Sequence, residues 1–174
     1  MHTEVWVQEA DFSVQAVCDG MRSRHRDVGA VVSFVGVVRD VVDPASVDDA
    51  ATQAPAAAVN SGLYLEHYPE VTERSIAEII ARAALRWPLL DVVVIHRVGW
   101  LAPTDQIVLV AVASGHRAAA FSACAFLMDY LKTDAVFWKK ERRADASERW
   151  IESTHADYRA SAAWSEQGEP AADR

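Results

Sequence analysis

Lysine is scarce in this sequence, and its few positions are unevenly distributed. Of the seventeen basic residues, fourteen are arginine and three are lysine. All three lysines (Lys132, Lys139 and Lys140) fall within nine consecutive residues. A genome that favours arginine and alanine codons explains why lysine is rare, but it does not explain why the lysines are clustered.

Other absences exclude whole classes of protein. No run of about 18 apolar residues is present, which argues against a membrane-spanning helix, and the N-terminus lacks the pattern of a signal peptide. Cys18 and Cys124 alone cannot build a disulfide framework or a cysteine zinc site. Phosphate-binding glycine loops, HExxH and CxxC motifs and carboxylates at metal-ligand spacing are missing, so we expect no metal site. Together these absences predict a cytoplasmic protein.

The charge is acidic overall and basic in one segment. A net charge of −8 and a pI near 5.2 argue against a nucleic-acid-binding protein, which usually carries a basic face. Residues 116–143 nevertheless contain six basic and three acidic side chains and therefore carry +3. A basic patch on an acidic chain predicts a small anionic ligand or an acidic partner.

The residue periodicity predicts a single α+β domain over residues 1–165 with a frayed tail, 166–174. Ser13 is expected to cap a helix over 13–22, and Thr72 a helix that ends at Trp87. A stretch rich in Ala, Asp and Pro, 40–61, predicts a mobile loop inserted in the domain. The other predicted elements are strands over 30–38 (with a bulge or close approach at Gly36) and 62–68, a hairpin of strands 91–98 and 106–113, an extended segment 135–140, and helices 116–132 and 147–164.

Lys132 is the first candidate for chemistry. Phe121, Ala125, Met128 and Lys132 follow one another at helical spacing, so the lysine continues an apolar stripe that would face the core. Two interpretations remain open. Either the helix is ending and the side chain reaches solvent, or the amine is partly desolvated and acts as a nucleophile, acid or base.

Lys139 and the start of the same helix offer a second and a third cationic group. Lys139 is either a solvated edge-strand lysine or, if it points toward Lys132, an amine whose pKa that neighbour lowers. His116 and Arg117 lie in the first helical turn, where cations are disfavoured unless an anion also binds. With Ser114 they predict either a phosphate site or a pair that simply faces solvent.

Three further positions are ambiguous from sequence. Arg39 directly follows a strand and precedes the predicted loop, which is typical both of binding sites and of plain surfaces. His67 and His96 lie in strands, where a histidine is more often a core residue than a ligand. Cys124 lies inside an apolar helix without an activating neighbour, which argues against a cysteine nucleophile.

Four segments together resemble the catalytic, large subunit of molybdopterin synthase. They are GAVVSFVGVVRD at 29–40, LYLEHYPEVTE at 63–73, RWPLLDVVVIHRVGWLAPTD at 86–105 and VAVASGHRAAAFSACAFLMDYLKTDAVFWKKE at 110–141. They keep the order of that family and cover most of residues 29–141. The string MDYLKT followed by FWKKE is the most specific part.

The resemblance implies a fold, a reaction and partners. The fold would be an α/β-hammerhead with an additional antiparallel sheet. The reaction would transfer sulfur from the C-terminal thiocarboxylate of a small ubiquitin-like subunit, ending in Gly-Gly, to cyclic pyranopterin monophosphate. The product is the molybdopterin dithiolene of molybdenum cofactor biosynthesis, and no resident cofactor is expected. The implied assembly is a homodimer within a heterotetramer, with no nucleic acid and no membrane as partner.

The resemblance also assigns roles to residues. It implies that Lys132 and Lys139 carry the chemistry. It implies substrate binding by the backbone of Val37 and Val38 and by Arg39, Lys140, Glu141, His116 and Arg117. His116 and Arg117 would reach into the site of the neighbouring protomer.

The chain departs from the family pattern outside these proposed catalytic side chains. The family usually has Gly and Met where this chain has Glu70 and Val71, Pro where it has Val136, and a shorter loop than 40–61. Two other functions are compatible with the same residues. One is a non-catalytic module of the same fold that binds a ubiquitin-like tail or a phosphate metabolite. The other is an unrelated phosphate-ester enzyme, which would turn over without a protein partner.

Overall fold

Helices and strands are mixed along the chain, which confirms the predicted α+β class. The computed structural model describes residues 1–39, 61–143 and 147–166. The helices are α1 (Val14–Arg24), α2 (Val71–Arg86), α3 (Arg117–Thr133) and α4 (His155–Glu166). The strands are β1 (His2–Gln8), β2 (Ala30–Val37), β3 (Gly62–His67), β4 (Leu89–Arg97), β5 (Gly99–Leu101), β6 (Gln106–Ser114), β7 (Phe137–Arg142) and β8 (Glu148–Ile151). None of these helices is long and apolar enough to span a membrane.

The first sheet, in the order β1-β4-β6-β2, forms the centre of the molecule. β1 runs parallel to β4, and the other two pairs are antiparallel. Helix α1 covers one face through Met21, while α2 and α3 cover the other through Ile76 and Phe126. Because both faces of β4 and β6 are buried, these strands are continuous apolar runs rather than alternating ones.

The second sheet, in the order β5-β3-β7-β8, is antiparallel throughout and corresponds to the expected additional sheet. Leu65 of β3 and Leu101 of β5 are fully buried on its inner face, where they pack against Val38 at the end of β2. Side chains alternate between the two faces of a strand. Lys139 therefore shares the inner face with Leu65, its register partner, and Lys140 lies on the outer face.

The irregularity predicted at Gly36 is confirmed. The pairing of β2 with β6 shifts register between Gly36 and Val37. A β-carbon added to Gly36 would lie 2.8 Å from Cγ1 of Val108, so only glycine permits this close approach. After the shift, the Val38 N–H donates to the Asp105 carbonyl (2.9 Å) in the loop before β6.

The predicted start of α2 is wrong. Ser13 does cap α1 as expected, accepting the Ala16 N–H, but α2 begins at Val71, after Glu70. Thr72 is instead buried in the first turn, where its hydroxyl donates to the Val136 carbonyl (2.8 Å). Glu70 has a φ of 66°, a backbone conformation that favours glycine. This explains why the family pattern usually has Gly at that position.

The predicted helix over 147–164 is also wrong at its start. Residues 148–151 form β8, and α4 begins only at His155. Trp150 is the register partner of Lys140 in β7, whose ammonium lies 5.5 Å from the Trp150 ring centroid. Pairing with a strand nearby in space therefore overrides the local helical pattern.

Two smaller differences concern the strands. The expected hairpin of β4 and β6 is antiparallel as predicted, but its connection contains β5, which pairs with β3 in the second sheet. β1 was not predicted at all. The predicted loop 40–61 and tail 166–174 lie outside the described residues, apart from Ser61 and Glu166. The extent of the single domain stays a prediction.

Candidate functional site

A cleft of about 630 Å³ opens where the C-terminal end of α3 meets the second sheet. Its walls are residues 132–139, residues 150–153 and Tyr158. Both lysines that the sequence singled out, Lys132 and Lys139, line this cleft. The structure therefore brings together two of the three lysines of the chain in one concave site.

Lys132 is not on a buried stripe, so the expected orientation of α3 is wrong. Phe121 and Ala125 face solvent, and the Lys132 side chain is 53% exposed. The buried face of the helix contains Phe126 and Leu127 instead. Because α3 is apolar around most of its circumference, helical spacing alone fits more than one face. Of the two open interpretations, the structure favours a side chain that reaches solvent at the end of the helix.

Asp157, in the first turn of α4, pairs with Lys132. Its Oδ1 lies 3.3 Å from the Lys132 Nζ. The Ser153 hydroxyl also donates to the Lys132 carbonyl (2.5 Å), which ties the segment before α4 to the end of α3. Sequence reasoning missed Asp157. The Thr154-to-Asp157 spacing, typical of a helix cap, was the available signal.

Lys139 is the amine that burial affects. Desolvation lowers the pKa of Lys139 below its usual value, the Asp157 carboxylate opposes this shift, and the Lys132 ammonium adds to it. An amine of this kind can exchange a proton more readily near neutral pH than an exposed lysine can. Of the two lysines in the cleft, Lys139 is therefore the desolvated one, while the Lys132 side chain reaches solvent.

His96 closes the inner side of the Lys139 site. Its ring stacks on Phe137 of β7, with ring centroids 3.8 Å apart. Its Nδ1 lies 2.8 Å from the Arg97 carbonyl, to which it donates as the neutral tautomer. Burial lowers the pKa of His96 to about 4, and the charge of Lys139 contributes to the shift. The expectation that His96 is a core histidine is confirmed.

The buried His96 predicts a pH-dependent stability. Unfolded, this histidine takes up a proton near pH 6.5, whereas the folded protein resists protonation until about pH 4. As the pH falls from 7 to 4, we expect the folded state to lose roughly 3 kcal/mol of stability through this residue. His96→Phe keeps the aromatic stacking and should remove this loss. Urea unfolding of both proteins across this range measures it, and parallel stability curves would contradict the prediction.

The segment 37–39 lies close to the lysine site. Val38 is buried against Leu65, and Leu65 is the register partner of Lys139. Val37 is exposed, and Arg39 is exposed and makes no ion pair or side-chain hydrogen bond with another described residue. The predicted part of this segment in substrate binding stays a prediction.

His116 and Arg117 lie far from the cleft of their own chain. They are at the N-terminal end of α3, and the fifteen helical steps from Arg117 to Lys132 span about 22 Å. Both are exposed, and neither side chain makes an ion pair or hydrogen bond with another described residue. Ser114, expected to join them at an anion site, is buried, and its hydroxyl donates to the Pro88 carbonyl (2.8 Å).

Lys140 and Glu141 are not among the residues that line the cleft. Lys140 lies on the outer face of the second sheet and forms an ion pair with Glu148 of β8. Glu141 shares the inner face with Lys139 but lies two residues further along β7. Their predicted part in substrate binding stays a prediction.

Cys124 is buried in α3. Desolvation raises the pKa of its thiol to about 11, so it is not a thiolate near neutral pH.

Comparison with known proteins identifies the family. The family model described as MoaE protein matches residues 7–134, which is most of the chain. The chain belongs to the MoaE protein family. Among its curated relatives, a Ralstonia nicotianae protein is 49% identical over 158 residues (91% of this chain, 82% of that protein). A Vibrio cholerae protein is 48% identical over 164 residues (94% and 99%). Both are named molybdopterin synthase catalytic subunit.

Solved structures of MoaE relatives share the fold. A Burkholderia multivorans molybdopterin cofactor biosynthesis protein E superposes with a TM-score of 0.74 at 43% identity, covering 95% of this chain and 98% of that one. A Helicobacter pylori complex of subunits 1 and 2 of molybdopterin-converting factor has a TM-score of 0.62 at 14% identity (87% and 90%), which shows the fold alone. The relatives confirm the predicted family and, with it, the sulfur-transferring enzyme class.

Proposed function

We propose that this chain is the catalytic subunit of a cytoplasmic molybdopterin synthase. It takes sulfur from the thiocarboxylated C-terminus of a small ubiquitin-like subunit and transfers it to cyclic pyranopterin monophosphate. The observation that carries the proposal is the meeting of Lys132 and Lys139 in one cleft of a MoaE family member. The pterin is the substrate of this reaction, and no resident cofactor takes part.

The charges of the cleft suit this chemistry. A thiocarboxylate and a cyclic phosphate are both anions, and two ammonium groups attract them to the same place. Donors already aimed at the site where negative charge develops stabilise a transition state without reorganising. Lys139, with its lowered pKa, is the group able to give or accept a proton there. Arg39, beside the cleft, is suited to the phosphate.

A second copy of the chain completes the site in this proposal. His116 and Arg117 cannot reach the cleft of their own chain, yet they are exposed at one end of α3, and their side chains have no ion-pair or hydrogen-bond partner among the described residues. Phe121 of α3 (63%) and Phe34 of β2 (40%) are also exposed. Phe34 is on the face of the first sheet that α3 covers, because its register partner Val110 belongs to the core beneath that helix. Aromatic side chains are enriched at protein interfaces. We therefore place the homodimer contact here, with His116 and Arg117 acting in the partner's cleft.

The body of the small subunit has a suitable surface beside the cleft. The outer face of the second sheet exposes several aromatic side chains, which we call the aromatic face: Tyr64, Tyr68, Trp100, Trp138 and Trp150. Trp138 and Trp150 also line the cleft. Exposed tryptophans near cationic side chains are enriched at protein interfaces. A partner resting on this face would therefore have its tail at the cleft entrance.

Replacing Trp150 is expected to weaken binding of the small subunit. A tryptophan at the centre of an interface contributes about 2 kcal/mol or more, so Trp150→Ser should raise the Kd by about thirtyfold. Trp6→Ser is the matched control, because Trp6 is equally exposed (54% against 53%) on β1, at an edge of the other sheet. Calorimetric titration with the small subunit measures both. Equal affinities of the two variants would place the partner elsewhere.

Reconstitution tests the proposed function directly. The purified chain, the thiocarboxylated small subunit and cyclic pyranopterin monophosphate should together yield the dithiolene product, and omission of the small subunit should abolish the yield. Tight binding of the small subunit without any product would favour the non-catalytic module. Turnover of a phosphate ester without a protein partner would favour the third function.

A further inference from the structure

Asp157 acts on both lysines of the cleft. One carboxylate oxygen, Oδ1, lies 3.3 Å from the Lys132 ammonium. The charge of the same carboxylate also reaches Lys139, where it opposes the effect of burial. An acidic residue on α4 thus links an amine at the end of α3 with an amine on β7.

The orientation of Asp157 does not depend on Lys132. Its other oxygen, Oδ2, accepts hydrogen bonds from the N–H (2.9 Å) and the hydroxyl (2.7 Å) of Thr154. The Asp157 N–H donates back to the Thr154 hydroxyl (3.3 Å), which completes a reciprocal cap at the start of α4. These bonds with Thr154 are the main reason that the pKa of Asp157 is lowered, so the carboxylate stays charged. The cap therefore holds a negative charge beside the cleft.

The other charged groups near Lys139 do not replace Asp157. The Lys132 ammonium on α3 repels the Lys139 ammonium. His96 on β4 is neutral at physiological pH because burial lowers its pKa. His67 on β3 lies 4.0 Å from Glu73 of α2. The acidic residues Asp134 and Glu152 also line the cleft, and Asp134 pairs with Arg82 (3.0 Å). Glu141 follows on the same face of β7, with Arg149 of β8 as its register partner.

We propose that Asp157 is a positioning residue for sulfur transfer: it holds the Lys132 ammonium at the cleft wall and is exchanged there for the anionic C-terminus of the small subunit. The proposal rests on the proposed function. An ion pair at a half-exposed site is weak, so an arriving carboxylate or thiocarboxylate can displace it. The exchange gives the Lys132 ammonium a new anionic partner, and the displaced Asp157 carboxylate keeps its hydrogen bonds from Thr154. Before the tail arrives, the negative charge of Asp157 also offsets the repulsion between the Lys132 and Lys139 ammonium groups.

The variant Asp157→Asn removes the charge while preserving the shape. An asparagine oxygen can still accept both hydrogen bonds from Thr154, so the cap is retained. Thr154→Ala is the matched control, because it removes a hydroxyl of the cap but keeps the carboxylate. Thermal unfolding of both variants reports whether the cap is weakened.

Because this chain has only three lysines, NMR can follow the titration of each lysine side chain separately. With 13C-labelled lysine, NMR should show three ammonium-adjacent side-chain signals, which single substitutions assign. In the free protein, Asp157→Asn should move the titration of Lys139 to lower pH, because the opposing carboxylate is lost. Thr154→Ala should leave that titration unchanged. An unchanged Lys139 titration in Asp157→Asn, or an equal shift in both variants, would overturn the proposal.

Kinetics supply a second readout. Without the competing carboxylate, Asp157→Asn should bind the anionic tail more tightly, so the KM for the small subunit should fall several-fold. The kcat should change less than the KM, because the bound tail has already displaced Asp157 from Lys132 before sulfur is transferred. A higher KM with unchanged kcat would contradict the exchange. If the wild-type protein makes no product at all, the proposed function fails, whereas the NMR titration still decides the role of Asp157.

Discussion

Lys139→Met is expected to abolish formation of the dithiolene. Methionine is unbranched like lysine, is only one heavy atom shorter and fits a partly buried position, so the fold should remain intact. Loss of one positioned charge at a site of developing negative charge typically costs about 10²- to 10³-fold in rate. Single-turnover assays with the thiocarboxylated small subunit measure the loss. Lys132→Ala should act in the same direction.

Lys139→Arg separates two roles of this lysine. Arginine keeps a positive charge but cannot lose its proton near neutral pH. If only charge is required, the arginine variant should retain much of the activity. We expect it to be nearly as inactive as Lys139→Met, because burial has lowered the pKa of this amine. Urea unfolding of both variants controls for the fold, and a near wild-type yield from Lys139→Met would refute the assignment.

Mixing two inactive variants is expected to restore activity. Arg117→Ala and Lys139→Met should each be strongly impaired as homodimers. If Arg117 acts in the partner's cleft as proposed, a mixed dimer has one cleft with an intact Lys139 that receives an intact Arg117, so one of its two sites is complete. Random exchange of subunits should therefore restore about a quarter of the wild-type sites, since half of the dimers are mixed.

The expected restoration depends on the proposed dimer geometry. The span of about 22 Å along α3 prevents Arg117 from serving the cleft of its own chain. The matched control is Lys132→Ala mixed with Lys139→Met. Both of these residues belong to one cleft, so no mixed dimer has a complete site. Equal activity of the two mixtures, or none in either, would contradict a shared site.

Much of the fold could be predicted because its signals are local. The β-branched runs of β2, β4 and β6 and the Ser13 cap of α1 require only neighbouring residues to be recognised. The wrong predictions concern segments whose structure depends on residues distant in the sequence. β8 forms because β7 provides a strand for it to pair with, and Thr72 turns inward because the Val136 carbonyl needs a donor.

The candidate site shows the same division. Local sequence was sufficient to mark the lysine cluster and to suggest the family, because amine chemistry and motif order are properties of the chain itself. Only the packed structure shows that burial desolvates Lys139 rather than Lys132. It also places Asp157 beside Lys132 and puts His116 and Arg117 at the far end of α3. Desolvation and charge pairing depend on every atom within a few ångströms of a group. At this site those atoms come from α3, α4, β4 and β7, which only the folded chain brings together.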